Sequence, residues 1–571
     1  MNVLRFAMMA AICIGGFLPS AGSDALVGDK LYTNAHIWTG NNKAPRAEAI
    51  VVKGARILAL GTTENIQAYV DKNTQIINLA GAFVVPGFVD NHVHFLMAGS
   101  DLASVNLRSA TTPKGFKNRV AEHVRDMSVD QWILGGNWDH ELWGGSLPDK
   151  TWIDDVTPDN PVAVRRLDGH MVLANSYALS LANITRDTVA PEGGVIVKDD
   201  RGEPTGILKD NAIELLMKVM PVPSAEEMDK ALAAASRAAL SNGITQVHDM
   251  GYDEVGGLTW NNLEAYRRAR RNNALKLRVY SFMPLTEWPR VATYIDDNGR
   301  GDDWLRWGGL KGYIDGSLGS GTAWFHQPYK NAPDNSGFAV IGTTKLSNMI
   351  EGADAAGLHV AIHAIGDRAN DNLLDIFETV SKRNGVKDRR FRIEHAQHLS
   401  SSAITRFAVL GVIPSMQPYH AIDDGRWAEN SIGADRIKRT YPFRSLLDAG
   451  ASLTFGSDWF VAPLSPLEGI YAAVTRRTID NKNPDGWVPE QRITVEEALR
   501  AYTSANAYAG FMEKGTGTLE IGKLADFTVL SENILTIEPV NIPNVKVLRT
   551  VVGGQDQYIA DEGPVDLGTV E

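Results

Sequence analysis

The stretch Val84-Val85-Pro86-Gly87-Phe88-Val89-Asp90-Asn91-His92-Val93-His94 carries the first clue to the fold. Its apolar half reads as a buried strand. Its polar half places two imidazoles two residues apart, on one face of an extended chain and within reach of one metal ion. An H-x-H triplet is a weak signal by itself, so its position along the chain has to carry the weight.

Seven further short apolar or alternating runs come after the one at 82–89, at 243–247, 275–282, 310–314, 359–362, 391–393, 412–416 and 452–455, most of them separated by helical-looking stretches. Strands alternating with helices argue a parallel sheet, and eight of them predict an α/β fold of the (β/α)8 TIM-like barrel type. Barrel sites lie at the C-terminal ends of strands. His92 and His94 follow the first run, His363 closes His359-Val360-Ala361-Ile362-His363, His395 closes Arg392-Ile393-Glu394-His395, and Asp458 follows Leu453-Thr454-Phe455-Gly456-Ser457. Singly, each reads as a hydrogen-bonded structural histidine or a helix-capping aspartate. Together they are the imidazole and carboxylate ligands that borderline divalent metals such as zinc accept, which makes the barrel a metallo-barrel. His248, ending the second run, is expected behind this set.

The gap of about 150 residues after the first run far exceeds an ordinary βα loop and predicts an insertion at about 100–240 that covers the barrel mouth. At the two ends of the chain, strand-like segments such as Ala49-Ile50-Val51-Val52 and Ala525-Asp526-Phe527-Thr528-Val529-Leu530 predict one small composite β-sandwich from residues 23–80 and 515–571, with the barrel at 81–514.

The 571 residues are 44% hydrophobic and 22% charged, the balance of a globular enzyme, which excludes disordered, collagen-like and coiled-coil classes. Lys and Arg total 56 against 68 Asp and Glu, a formal charge of -12, with no basic run of five. Neither nucleic acid nor an anionic membrane surface is an expected partner. At the N-terminus, Arg5, the apolar stretch 6–18 and the small residues Pro19-Ser20-Ala21-Gly22-Ser23 read as a secretory signal at 1–22, cleaved after Gly22 or Ser23, sending the protein to the periplasm or medium. The stretch is short of the ~20 residues a membrane anchor needs. The only cysteine, Cys13, falls inside it, so the mature chain is expected to use neither disulfides nor thiolates.

Further segments join these in a set with a family likeness: Asp168-Gly169-His170 with Asn175-Ser176, Lys311 with Asp315-Gly316-Ser317-Leu318-Gly319-Ser320, His363-Ala364-Ile365-Gly366-Asp367, Tyr441-Pro442-Phe443-Arg444, Gly456-Ser457-Asp458, and Gly522-Lys523-Leu524-Ala525-Asp526. In this order, from about Leu31 to about Val552, the chain resembles the amidohydrolase superfamily and, within it, the amidohydrolase 3 group of YtcJ-like metal-dependent hydrolases that includes N-substituted formamide deformylase. The resemblance implies a metal centre fed by barrel strands one, four, five, six and eight, which adds Lys311. A lysine ammonium has no lone pair for a metal. In related enzymes such a lysine is carboxylated by CO2, and the carbamate bridges two metals.

The implied cofactors are therefore two divalent ions, zinc favoured, and a CO2-derived carbamate on Lys311. His92 and His94 would bind the more buried ion and His363 and His395 the more exposed one. Asp458 would complete the buried site and serve as general base, then general acid. Glu394 is expected to support a liganding imidazole. His170 is implied as a catalytic donor to the substrate or oxyanion, and Trp138 and Trp143, in Trp138-Asp139-His140-Glu141-Leu142-Trp143, are expected as pocket walls. Gly321 stands where the family often has arginine. The expected reaction is hydrolysis, by metal-activated water, of a non-peptide C–N bond in a small amide, an N-acyl or N-formyl amine. Two alternatives stand beside it: a mononuclear deaminase of a cyclic amidine or guanidine, using His92, His94, His363 and Asp458 without Lys311, and a non-catalytic binding or regulatory barrel. A homo-oligomer is left open.

Overall fold

In the computed structural model, residues 27–125, 127–251, 258–561 and 566–569 are described, the last four as backbone. The segment read as a secretory signal, and Cys13 with it, lies outside them. One sheet of eight strands forms the barrel. Its members are β1 (Phe88–Val93), β2 (Ile244–Asp249), β3 (Arg278–Pro284), β4 (Leu305–Tyr313), β5 (His359–Ala364), β6 (Arg392–His395), β7 (Ile413–Met416) and β8 (Thr454–Phe455). All neighbours run parallel, in the order of the chain. The eight apolar runs thus all supply barrel strands.

The ring closes between β8 and β1. Asp458 N–H donates to His92 O at 2.7 Å, and His94 N–H donates to Trp459 O at 2.9 Å. Side chains stitch the same seam, with Asn91 Nδ2 on Thr454 Oγ1 at 2.7 Å and the buried Asn506 donating to both Val89 O and Phe455 O.

The first apolar run is divided between two sheets. Phe83–Pro86 pairs with His36–Trp38 and with Phe527–Leu530, and only from Phe88 does the chain join the barrel. Proline ends the first segment, since it has no N–H to give a ladder. At Gly87 a Cβ would stand 2.3 Å from Thr245, so only glycine lets the chain pass between the layers. A consequence is that His92 lies inside β1 and His94 just beyond it, rather than both after the strand's end.

Two other sheets draw on both ends of the chain. One has five strands, including Lys30–Thr33 and Asp566–Thr569, and the other has six, including His36–Trp38 and Val547–Val552. Tyr32, Ile50 and Ile77 of the first and Ile37, Val84, Phe527 and Val551 of the second share one apolar cluster. The insertion at 94–243 builds a six-stranded sheet of its own, with an apolar cluster around Phe116 and Trp138 and another around Leu179 and Leu208.

The insertion returns to the barrel through the helix Ala225–Ser241. Ser224 and Glu227 form a capping box at its start, and Glu226 and Glu227 favour its positive N-terminal end. Met228, Ala231, Leu232, Ala235 and Ala239 recur at helical spacing and are buried in the barrel's core cluster. Among the described residues, no helix is long and apolar enough to cross a membrane.

Candidate metal centre

The mouth of the barrel opens into a cavity of about 680 Å³ lined by His94, His170, Lys311, His363, His395, His420 and Asp458, among others. That size suits a small-molecule ligand. His92, buried just beneath, His395 and Asp458 bring one ligand atom each to within 4.8 Å of one another. Asp458 Oδ1 is 3.5 Å from both His92 Nε2 and His94 Nε2, too far for a good hydrogen bond and close enough for a shared ion. Lys311 Nζ lies 3.3 Å from His92 Nε2 and 4.7 Å from the Tyr313 ring centre. The His363 ring is centred 4.6 Å from that of His395. His92, His94, Lys311, His363, His395 and Asp458 are thus brought to one place by β1, β4, β5, β6 and the turn after β8.

The imidazoles are oriented from behind. His92 donates Nδ1–H to Glu394 Oε2 at 2.5 Å, His94 donates Nδ1–H to Gly251 O at 2.9 Å, and His395 donates Nδ1–H to Gln417 Oε1 at 2.7 Å. His363 is held by the other nitrogen, Nε2–H to Gly316 O at 3.1 Å. Carboxylate, carbonyl and amide oxygens can only accept, so these contacts fix the tautomers and leave the opposite nitrogen of each ring with a lone pair. Glu394 is itself fixed by the buried Arg392, Nε to Oε1 at 2.7 Å and Nη2 to Oε2 at 2.9 Å, and by Ser415 Oγ at 2.7 Å. Ligand imidazoles are typically steadied in this way.

Electrostatics favours the neutral form of the His92, His363 and His395 rings, as a ligand must be. Burial, followed by the neighbouring Lys311, pushes His92 down to about 4. His363 and His395 fall well below their ordinary value, again through burial first. Burial alone would raise Asp458, but the imidazoles of His92, His94 and His395, which take up protons themselves in the acid range where a carboxyl titrates, outweigh it and hold the carboxyl well below the usual range. Asp458 and His395 both sit at positive φ, 60° and 71°, where a side chain other than glycine costs about 1–3 kcal/mol and is kept in place by its surroundings. Convergent lone pairs, an ionised carboxylate and rings anchored from behind fit a bound divalent metal.

His170 reaches the cavity from the insertion. Asp168 accepts from His170 N–H at 3.2 Å, from Arg166 Nη1 at 2.6 Å and from Ser317 Oγ at 2.6 Å, and Gly169 takes φ 76°. The turn they make swings the His170 ring to 4.9 Å from that of His363. Burial opposes a charge on His170, but the hydrogen bond to Asp210, with Asp168 and Asp315 behind it, raises its pKa above the ordinary value.

Trp138 and Trp143 do not line the cavity. Trp138 is fully buried, donates Nε1–H to Val164 O at 2.9 Å and packs with Phe116 and Trp143 inside the insertion. The alternation of an extended chain sends Trp138 into that core and the next residue, Asp139, to the cavity. Gly321 is also off the cavity wall, in a turn at φ 68° where Asn335 Nδ2 donates to its carbonyl. His248 is buried, 3.0 Å from Arg392 Nη1 through Nδ1.

His420 and Asp210 also line the cavity, and the sequence reading singles out neither. His420 stacks on His395, and its Nε2 lies 3.9 Å from Asp458 Oδ2. It lies just past β7, in the helix Pro418–Asp424, so the strand-end rule that found His363 and His395 needs only a short extension to reach it. Asp210, which binds His170 Nδ1 at 2.7 Å, has no such signal, because the pair is 40 residues apart, His170 in a turn of the insertion and Asp210 at the end of the strand Pro204–Asp210.

Anchored imidazoles and a carboxylate converging at the C-terminal mouth of a parallel barrel define a metal-dependent hydrolase. The amidohydrolase family model matches residues 75–558, and the chain belongs to that family. It is 41% identical to the protein LONG AFTER FAR-RED 3 of Arabidopsis thaliana over 95% of this chain and 93% of that one. It is 31% identical to the putative amidohydrolase YtcJ of Bacillus subtilis over 92% and 99% of the two chains, and 28% identical to the N-substituted formamide deformylase of Arthrobacter pascens over 93% and 98%. Among solved structures, a metal-dependent hydrolase from Pyrococcus horikoshii OT3 superimposes with a TM-score of 0.72 at 28% identity, covering 90% of this chain and 99% of that one.

Proposed function

We propose that the protein is an exported amidohydrolase that hydrolyses a non-peptide C–N bond in a small amide, of the N-acyl or N-formyl amine class. The observation that carries this reading is the donor set itself: four imidazoles with tied outer nitrogens around Asp458 and the buried Lys311. Similarity to a formamide deformylase supports the choice of bond. His92, His94, His363, His395 and Asp458 would hold two divalent ions, zinc favoured, with Lys311 as a carbamate adding the remaining oxygens. When bound, such ions supply Lewis acidity, which makes water nucleophilic near neutral pH and polarises a carbonyl.

The chain's own groups do the rest. Asp458 accepts a proton from the attacking water at its carboxylate and delivers it to the leaving nitrogen. His170, on the insertion side of the cavity, hydrogen-bonds the substrate. A mononuclear deaminase would have no use for Lys311 at this place, and the burial of that side chain among the imidazoles favours the two-metal arrangement.

The test is metal content of the purified protein together with hydrolysis of a panel of N-formyl and N-acyl amines. Close to two metal equivalents and amine release, lost on chelation and restored by zinc, are expected. A protein that binds no metal and cleaves none of the panel overturns the reading.

Two further outcomes are expected. Glu394→Gln removes the charge that steadies His92 and leaves the buried Arg392 without its carboxylate, so metal affinity should fall about 10–100-fold in a competitive chelator titration. Export predicts a mature N-terminus near Ser23 or Asp24, and N-terminal sequencing that found Met1 intact on a cytosolic protein would refute it.

A further inference from the structure

His170 and Asp210 are locked together twice, because Asp210 N–H donates to His170 O at 3.0 Å and the side chain Oδ1 accepts Nδ1–H of the same residue at 2.7 Å. Asp210 is held at φ 47° and ψ -129°, a strained backbone for a residue with a side chain. Its side chain is 2% exposed at the inner wall of the cavity, and Oδ2 has no hydrogen-bond partner among the described residues. Gly316, in the turn after β4, packs against both Thr322 and Asp210: a Cβ there would stand 2.0 Å from Thr322 Oγ1 and 2.8 Å from Asp210 Oδ1. A strained, buried carboxylate spent on one imidazole, in a socket only glycine leaves open, points to a role beyond stability.

We infer that Asp210 is a positioning residue for His170: it fixes the ring proton on Nδ1 and turns Nε2 to the cavity beside His363, so that the insertion completes a site whose metal ligands all come from the barrel. A carboxylate can only accept, so the proton is assigned to Nδ1 whatever the charge of the ring. Without it the neutral ring is free to exchange tautomers or rotate. This rests on the reading of His170 as a group that touches substrate.

The experiment compares the holoenzyme with Asp210→Asn, Asp210→Glu, His170→Gln and the double variant Asp210→Asn/His170→Gln. Asparagine tolerates positive φ, so Asp210→Asn should fold, with metal content unchanged. Its kcat should fall by at least about 10²-fold with little change in KM. The double variant should be no slower than His170→Gln, and Asp210→Glu should recover part of the loss. Nitrogen-15 NMR of histidine-labelled protein, with the His170 signal identified by its absence in His170→Gln, should show a single Nδ1–H tautomer in the wild type and a mixture in Asp210→Asn. An unchanged tautomer in Asp210→Asn, losses that multiply in the double variant, or full activity of Asp210→Asn would overturn the inference. If the wild type cleaved no amide in the panel, the proposed reaction would fall, and the NMR comparison would still decide the role of Asp210.

Discussion

Asp458→Asn is expected to lower kcat by about 10²–10⁴-fold while KM moves little, the pattern left when an interaction made mainly in the transition state is removed. The amide nearly matches the carboxylate in shape, and asparagine is among the few residues that accept the φ of 60° at this position. The backbone contact from residue 458 to His92 O that closes the barrel does not involve the side chain and should persist. An amide oxygen can still face a metal, so most of the bound metal should remain. The variant loses only the capacity to take a proton. The check is steady-state kinetics alongside metal equivalents per chain. A variant that loses metal but turns over normally per bound ion would make Asp458 a ligand only, and a fully active variant would exclude the mechanism and turn attention to His170 and His420.

Lys311→Ala is expected to reduce bound metal from two equivalents to one and activity by at least about 10²-fold, since each tenfold is only about 1.4 kcal/mol and a Lewis-acidic ion supplies several. The fold should hold, because the change leaves the β4 ladder to Pro284 and Ala361 intact and takes away a buried polar head rather than a large apolar side chain. A short-chain carboxylic acid supplied in solution should restore part of the activity by standing in for the carbamate oxygens. Two metal equivalents with normal turnover in the variant would end the carbamate proposal.

Much of the barrel is legible in the sequence because each strand is a short apolar run and its end is marked by a change of chemistry. His363, His395 and Asp458 could be placed from that alone. The illegible parts are those settled by partners far away in the chain. Nothing local shows that Pro86 and Gly87 divide one apolar run between two sheets, which depends on Thr245 pressing on the glycine. The indoles of Trp138 and Trp143 suit a pocket or a core equally, and the neighbouring strand that accepts the Trp138 N–H decides for the core. Asp210 looks like an ordinary turn residue until the insertion folds over the barrel. Lys311 entered through family likeness, because a lysine within an apolar run carries no chemical signature of its own.

The seam of the barrel also bears on how the protein is made. Asp90 accepts the backbone N–H of Ser457 at 2.9 Å across 367 residues of chain, and His92 and His94 meet Asp458 beside it. Contacts that distant are the slowest to form, and a chain leaves the ribosome from its N-terminus. A nascent or truncated chain ending before β8 therefore holds its four histidines without Asp458 and without the closed wall that gathers them. A chain cut short before β8 is thus expected to hold a divalent metal more weakly than the full chain, which joins completion of the site to completion of the fold.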